Sequence, residues 1–379
     1  MLQTLLVYSL LLSLMLLLNA TSVYRHDRGL YIGKRRQSNV PILALLVFAF
    51  VFGIRYDVGM DHLSYLRAYE STRLSIAGYI EQWEIGFVFI TRLFAEANLH
   101  FAFYFAFLAF LQVFVLFYAL RGYYKIHSYV IVILILSGTF LSFMNGIRQE
   151  LAFCFWVLAV TFIAKKKILP YFICVLLAFS FHFSAILLIP IYFFYRRREY
   201  YFSNLKLQLL LLFTSVFIML TFNPVNAIME GLAGIIEAAG YGIYVEMMRA
   251  GDMIFMEPIG GGTGIGIFFL LFVDITLICL SPKVKKYFKS PFLYIIYDLY
   301  FVGALFSYIA FGSLALQRIN IYFHNFSFVI AAFTLYYLAK NNSRENKLLQ
   351  YWLFTLYLLL FAALFFIREE FYSTFWQNM

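Results

Sequence analysis

The residues able to do chemistry are few, and they stand at the edges of apolar runs. Arg148 lies in Asn145-Gly-Ile-Arg-Gln-Glu150, between two almost wholly apolar stretches at 128–144 and 151–164. Arg55 and Arg318 also abut long apolar runs, and Asp61, Glu84 and His182 stand at similar edges. A guanidinium is a planar fork that grips phosphate or carboxylate through two parallel hydrogen bonds. Charged groups this close to apolar segments are costly and tend to face the protein interior or a wet cavity. Arginines that clamp a departing diphosphate stabilise the charge developing on it, while a carboxylate or imidazole takes the proton of an attacking hydroxyl. That chemistry needs no cofactor and no metal.

The elements that must hold these groups follow from composition. The chain has 379 residues, 64% of them hydrophobic, 21% aromatic and 13% charged, with a mean hydropathy of +0.83. A soluble domain keeps a polar skin and has no use for so much apolar surface. Many runs reach the roughly 20 residues that cross a hydrocarbon core as a helix, and the short alternating segments of a β-barrel are absent. The fold class expected is all-α: a polytopic transmembrane helical bundle of about 12 spans, one integral membrane domain over residues 1–379. The spans are drawn at 2–20, 39–54, 100–120, 128–144, 149–164, 168–182, 184–195, 207–222, 265–281, 292–312, 319–339 and 348–367. The first lacks a basic leader and a cleavage site, so it reads as a retained span. Cys154, Cys174 and Cys279 all fall in apolar runs and read as small core residues.

Charge orients the spans. Alternate loops at 21–38, 121–127, 165–167, 196–206, 282–291 and 340–347 carry 21 of the 29 basic residues and all twelve lysines. Short basic loops mark the cytoplasmic side. The opposite side has no lysine and eight arginines: Arg55, Arg67, Arg73, Arg92, Arg148, Arg249, Arg318 and Arg368. For Arg67, Arg73 and Arg92, pairing with Glu70, Glu81 or Glu96 accounts for the charge. Arg55, Arg148 and Arg318 each abut a span and are expected to be partly buried and functional. Two outer segments are long, at 55–99 and 223–264. Residues 85–98 read as an interfacial or re-entrant helix, and residues 228–248 as a helix lying at the interface or forming a lid. The glycines of 258–264 read as a hinge, since no phosphate-loop lysine accompanies them. Asp274 and Asp298 lie inside spans and read either as functional carboxylates or as acids satisfied by nearby tyrosine hydroxyls.

Collected at the outer boundary are Arg55, Asp57, Asp61, His62, Glu84, Asn145, Arg148, Gln149, His182, Gln317, Arg318 and Asn320, and the site is sought among Arg55, Asp61, Glu84, Asn145, Arg148, Gln149, His182 and Arg318. Arg55, Arg148 and Arg318 are expected to converge on a diphosphate, with Asn145 and Gln149 beside them. Asp61 is the first choice for general base, with Glu84 and His182 behind it. Pairing with Arg55 or Arg67, or capping of a helix, is the plain structural reading of Asp61. Capping of a hairpin is that of His182, and His324 reads as structural. On residues alone three activities stay open: transfer of a glycan from a lipid pyrophosphate, transport of such a lipid, and membrane O-acyl transfer. Transport would use Asp274 and Asp298 and a polar path across the membrane. Acyl transfer would need a histidine reachable from the cytoplasm, as His127 is.

The order Arg55-x3-Gly59-x-Asp61-x3-Tyr65, Glu84-x-Gly86-Phe87, Asn145-Gly-Ile-Arg148-Gln149-x2-Ala152 and His182-Phe-Ser184-Ala185 resembles the EpsG family of bacterial polysaccharide-assembly membrane proteins, which are Wzy-like polymerases. The resemblance covers roughly residues 40–200, and Arg318 extends it towards the end. It implies a polymerase joining undecaprenyl-pyrophosphate-linked oligosaccharide repeat units on the outer face of the plasma membrane, for a capsule, exopolysaccharide or O-antigen. The partners it implies are those lipid-linked glycans, the bilayer, a chain-length regulator and a flippase, with no nucleic acid.

Overall fold

The computed structural model describes residues 2–27, 40–59, 61–74, 83–197, 200–222, 224–237, 242–249, 265–367 and 372–377. Glu81, the glycines of 258–264 and Arg368 lie outside these. The described chain is helical and forms two compact units, one of Met1–Ala159, Leu176–His182 and Leu364–Met379, the other of Val160–Val175 and Phe183–Ala363.

The first unit begins with α1 (Leu2–Asp27), a helix apolar on every side. It buries Tyr8, Leu11, Met15 and Asn19, and exposes Leu2, Leu6, Leu10, Leu14 and Leu17 at helical spacing. A helix with apolar residues on its exposed face is one built for lipid. Asn19 meets its hydrogen-bonding need by donating to Ser128 Oγ at 2.8 Å. Then come α2 (Ile42–Gly53), α3 (His62–Arg73), α4 (Ile85–Glu96), α5 (Phe101–Ala119), α6 (His127–Leu136), α7 (Thr139–Asn145), most of α8 (Ile147–Ala164) and the second half of α9 (Ile168–Phe181). Helix α2 packs along α5 and α1, α1 against α6, and α3 against α4. The α2–α5 approach is close because of Gly53, where a Cβ would stand 2.5 Å from Ala102 O.

The second unit holds α10 (Ile191–Tyr195), α11 (Leu205–Thr221), α12 (Val225–Gly231), α13 (Ala233–Ile236), α14 (Gly242–Arg249), α15 (Ile265–Phe288), α16 (Pro291–Ile309), α17 (Leu314–His324), α18 (Phe326–Lys340) and most of α19 (Arg344–Ile367). Helix α16 is the hub, touching α11, α15, α17 and α18. The continuous interfacial helix expected over 228–248 is three pieces, α12, α13 and α14. Gly231 and Gly234 sit at the first break, and each weakens a helix by about 1 kcal/mol against alanine. Val225, Ala233 and Val245 anchor the pieces on Ala310, Ala315 and Leu316.

Among the described residues seven helices are long and apolar enough to cross a membrane, and eight if the bent pair 121–136 and 139–145 is one span. The bend is 70°, where a single straight crossing is expected from the uniform apolarity of 128–144. Gly138, at φ 75°, makes it. Four shorter apolar helices fall on the other stretches drawn as spans: Ile42–Gly53, Ile168–Phe181, Phe183–Tyr195 and Leu205–Thr221. At 1.5 Å per residue each is shorter than a hydrocarbon core of about 30 Å. The three cysteines are free, but Cys279 is exposed and is not a core residue.

Candidate active site

The site of the first unit is built on the break between α7 and α8. Helix α7 stops at Asn145, Gly146 takes a non-helical conformation, and α8 restarts at Ile147. The break leaves carbonyls that a continuous helix would satisfy. Gln112 of α5 takes one of them, its amide donating to Phe143 O at 3.2 Å, and also donates to Ile147 O at 3.0 Å in the first turn of α8. Arg148 therefore sits in the first turn of α8, where the positive end of the helix dipole disfavours a cation. Glu150, in the same turn and buried, offsets this.

The partner of Arg148 is Glu84. Its carboxylate accepts directly from Arg148 Nη1. Glu84 is extended and opens α4, so its negative charge lies at the end of α4 that favours it. The Glu84 side chain is 4% exposed, that of Arg148 25%. The Tyr65 side chain also hydrogen-bonds Arg148. Burial pushes the Tyr65 phenol up, against the pull of Arg148. The guanidinium lies 4.9 Å from the ring centre of Trp83 and 5.8 Å from that of Phe87. Trp83 and Phe87 both touch Tyr65. Arg148 Nε is buried and has no acceptor among the described residues. The group is thus a guanidinium with one arm on a carboxylate, an aromatic wall beside it and a donor to spare.

Asn145 fixes the neighbouring turn. Its Oδ1 accepts from the backbone N–H of Asp61 at 2.8 Å. Gly59 reaches that turn at φ +88°, and a Cβ there would stand 3.2 Å from Asn145 Oδ1. The glycine brings the backbone against Asn145 as well as turning the chain. Asp61 precedes α3 and is partly exposed. Its charge acts on Tyr65, one turn along that helix. Helix α4 also meets α9: a Cβ on Gly86 would come within 2.6 Å of Ser180 Oγ and 2.8 Å of Ser180 O. Glu84 and His182 are each two residues from that contact. His182 is buried between α9 and the 3₁₀ turn Phe183–Leu188, and Gln149 is buried beside Arg148 in α8.

Arg55 differs from the expectation of a wet cavity. It is 1% exposed. It donates to Met144 O at 2.6 Å and Phe52 O at 3.4 Å, and lies beside the rings of Phe52 and Phe105. No carboxylate pairs with it among the described residues, and burial draws its pKa down to about 10. The C-terminal stretch seals it. Thr374 bridges to Arg55, Phe375 N bonds Ile54 O at 3.1 Å, and Tyr372 donates from its backbone to Thr4 Oγ1 at 3.0 Å and from its hydroxyl to Val51 O at 2.6 Å. His62 packs on Phe105. Burial, and then the charge of Arg55, hold its imidazole down at about 3.

The second unit holds Arg318, partly buried on α17. It also holds both interior acids. Tyr300 and Tyr308 donate to the two oxygens of Asp274, at 2.6 and 2.7 Å, and His324 Nε2 lies 3.6 Å away. Asp298 accepts from Tyr201 N and lies 3.9 Å from Lys285 Nζ. The tyrosine hydroxyls expected around such acids are thus supplied at Asp274. Sequence reasoning placed Tyr65 in a motif without giving it a role, and passed over Trp83 and Glu150. A signal existed for Tyr65, which stands four residues after Asp61 on one helical face.

A family model described as the EpsG family matches residues 39–377, far beyond the stretch that carries the motifs. No curated protein and no solved structure matches the chain.

Proposed function

The chain belongs to the EpsG family, a family of Wzy-like polymerases, and from that membership and the Arg148 site we propose that it joins lipid-linked oligosaccharides into a polysaccharide. The donor is an oligosaccharide repeat unit on undecaprenyl pyrophosphate, and the acceptor is a hydroxyl of a second such unit. The work is done on the outer face of a bacterial plasma membrane, where nucleotide sugars are not at hand, and the product is a capsule, exopolysaccharide or O-antigen. Arg148 grips the pyrophosphate and stabilises it as it leaves, in place of a metal. A carboxylate beside it, Glu84 or Asp61, takes the acceptor's proton. His182 lies close to the same helix contact. Asn145 and Gln149 flank Arg148 and shape the loop that carries it, and Arg318, on α17 of the other unit, is a separate candidate guanidinium. About twelve crossings, with the basic loops inside, put these groups on the outer side. A flippase that delivers the repeat units and a chain-length regulator are the partners this role requires.

The observation that carries the reading is Arg148 itself: partly open, paired to an acid and holding an unused donor. A transporter for the same lipid would use the interior acids, and Asp274 already has both oxygens engaged by tyrosines. The test is incubation of purified protein with undecaprenyl-pyrophosphate-linked repeat units. A polymer ladder with one undecaprenyl pyrophosphate released per linkage is expected. Unchanged repeat units, with the protein folded, would refute the reading.

A further inference from the structure

The Arg148–Glu84 contact ties a carboxylate that can act as base to the arginine that can grip a diphosphate. Glu84 is almost fully buried, and its carboxylate is in direct contact with the guanidinium that the donor's pyrophosphate needs. The carboxylate oxygen that accepts from Arg148 is engaged and is not available to an acceptor hydroxyl. Arg148 is the more exposed partner, so an incoming anion meets the arginine before the acid. Its Nε is buried and has no acceptor among the described residues, so it is a donor that a phosphate oxygen can satisfy once the guanidinium turns towards it.

We propose that the pair is a latch: the donor's pyrophosphate takes Arg148 away from Glu84 and thereby frees Glu84 to act as the base. This rests on the polymerase reading and adds an order of events to it. The pyrophosphate first meets the exposed part of the Arg148 side chain, then displaces Glu84 from Nη1 and takes up the unused Nε donor, with Tyr65 and the Trp83 ring beside the guanidinium. Glu84 then accepts the proton of the acceptor hydroxyl. The hydroxyl oxygen forms a bond to the anomeric carbon, the bond from that carbon to the pyrophosphate oxygen breaks, and its electron pair leaves on undecaprenyl pyrophosphate, held by Arg148. When the product departs, Glu84 gives its proton to water and returns to the arginine.

The latch predicts that removing an acid improves anion binding at one position and not at its neighbour. Inorganic pyrophosphate is titrated into the purified full-length protein in detergent, with intrinsic fluorescence as the readout and Trp83→Phe as the control that assigns the signal. Glu84→Gln is expected to bind pyrophosphate about tenfold more tightly than wild type, the scale of one charge-assisted hydrogen bond removed from competition. Asp61→Asn, which removes an equal charge with no bond to Arg148, is expected to change affinity less than threefold. Should Glu84→Gln not fold, Glu84→Asp, with its carboxylate drawn back by one methylene, is expected to tighten binding at least threefold. Less than threefold tightening at position 84, or an equal gain in Asp61→Asn, overturns the latch. The polymerase reading fails separately: a wild type that makes no polymer while Glu84→Gln still tightens binding refutes the activity and leaves only the exchange of Glu84 for pyrophosphate on Arg148.

Discussion

Arg148 and Arg55 sit in the same unit, at helix ends, and look alike in sequence, yet the fold treats them oppositely. Arg148 keeps a quarter of its side chain open and pairs with a carboxylate. Arg55 is sealed, has no carboxylate among the described residues, and donates to the chain itself. A bond to a backbone carbonyl is part of the framework, whereas a bond to a side-chain carboxylate can be exchanged for one to another anion. The carbonyl that Arg55 holds belongs to Met144, immediately before Asn145. Arg55 thus braces the loop that carries Arg148, and on the reading proposed above the pair divides into an arginine for the ligand and an arginine for the loop.

That division can be broken by experiment. The largest effect is expected at Arg148. Arg148→Lys, which keeps a cation beside the buried Glu84 but loses the planar fork, should lower polymer formation by about 10²–10³-fold, the cost of losing a donor to developing charge, and leave thermal stability nearly unchanged. Arg55→Ala should do the reverse. It leaves Met144 O without its donor and opens a cavity between Phe52 and Phe105, costing about 2–4 kcal/mol in stability, with activity falling only as the folded fraction falls. Equal stability losses in the two variants would erase the distinction.

A smaller effect sharpens the Arg55 side. His62 is held at about 3 in the folded protein, whereas an unfolded histidine titrates near 6.5. Between those values the unfolded chain binds more protons. The contribution of His62 is therefore complete above about pH 6.5 and is lost as pH falls towards 3, at no more than roughly 1.4 kcal/mol per pH unit. Melting curves over that range should flatten in His62→Gln, and an unaltered slope would remove His62 from the account. The smallest effect is Tyr65→Phe, which takes one hydrogen bond from Arg148 and should weaken pyrophosphate binding about fivefold. Unchanged affinity would show that the hydroxyl does not hold the guanidinium.

Much of this was legible before any coordinates. Each apolar run drawn as a span falls on one or more helices, because apolar length is a local property. The chemistry of Asn145–Glu150 was visible for the same reason: polar residues interrupt an apolar stretch. The Arg148–Glu84 pair was not, since the two are 64 residues apart and no periodicity links them. The bend at Gly138 was hidden by unbroken apolarity on both sides. The status of Arg55 depends on a bridge to Thr374, over three hundred residues away, and a helix end in sequence says nothing of what later folds across it. The acids Asp274 and Asp298 were seen as interior, but which hydroxyls meet Asp274 was fixed only by the packing of α16 against α15.

The most direct measurement is a structure of the full-length protein with a soluble, short-chain analogue of undecaprenyl pyrophosphate bound. Phosphate oxygens on Arg148 Nε and Nη1, with Glu84 released and Arg55 still on Met144 O, are the result this account predicts. A diphosphate held elsewhere, with Arg148 still on Glu84, would contradict it.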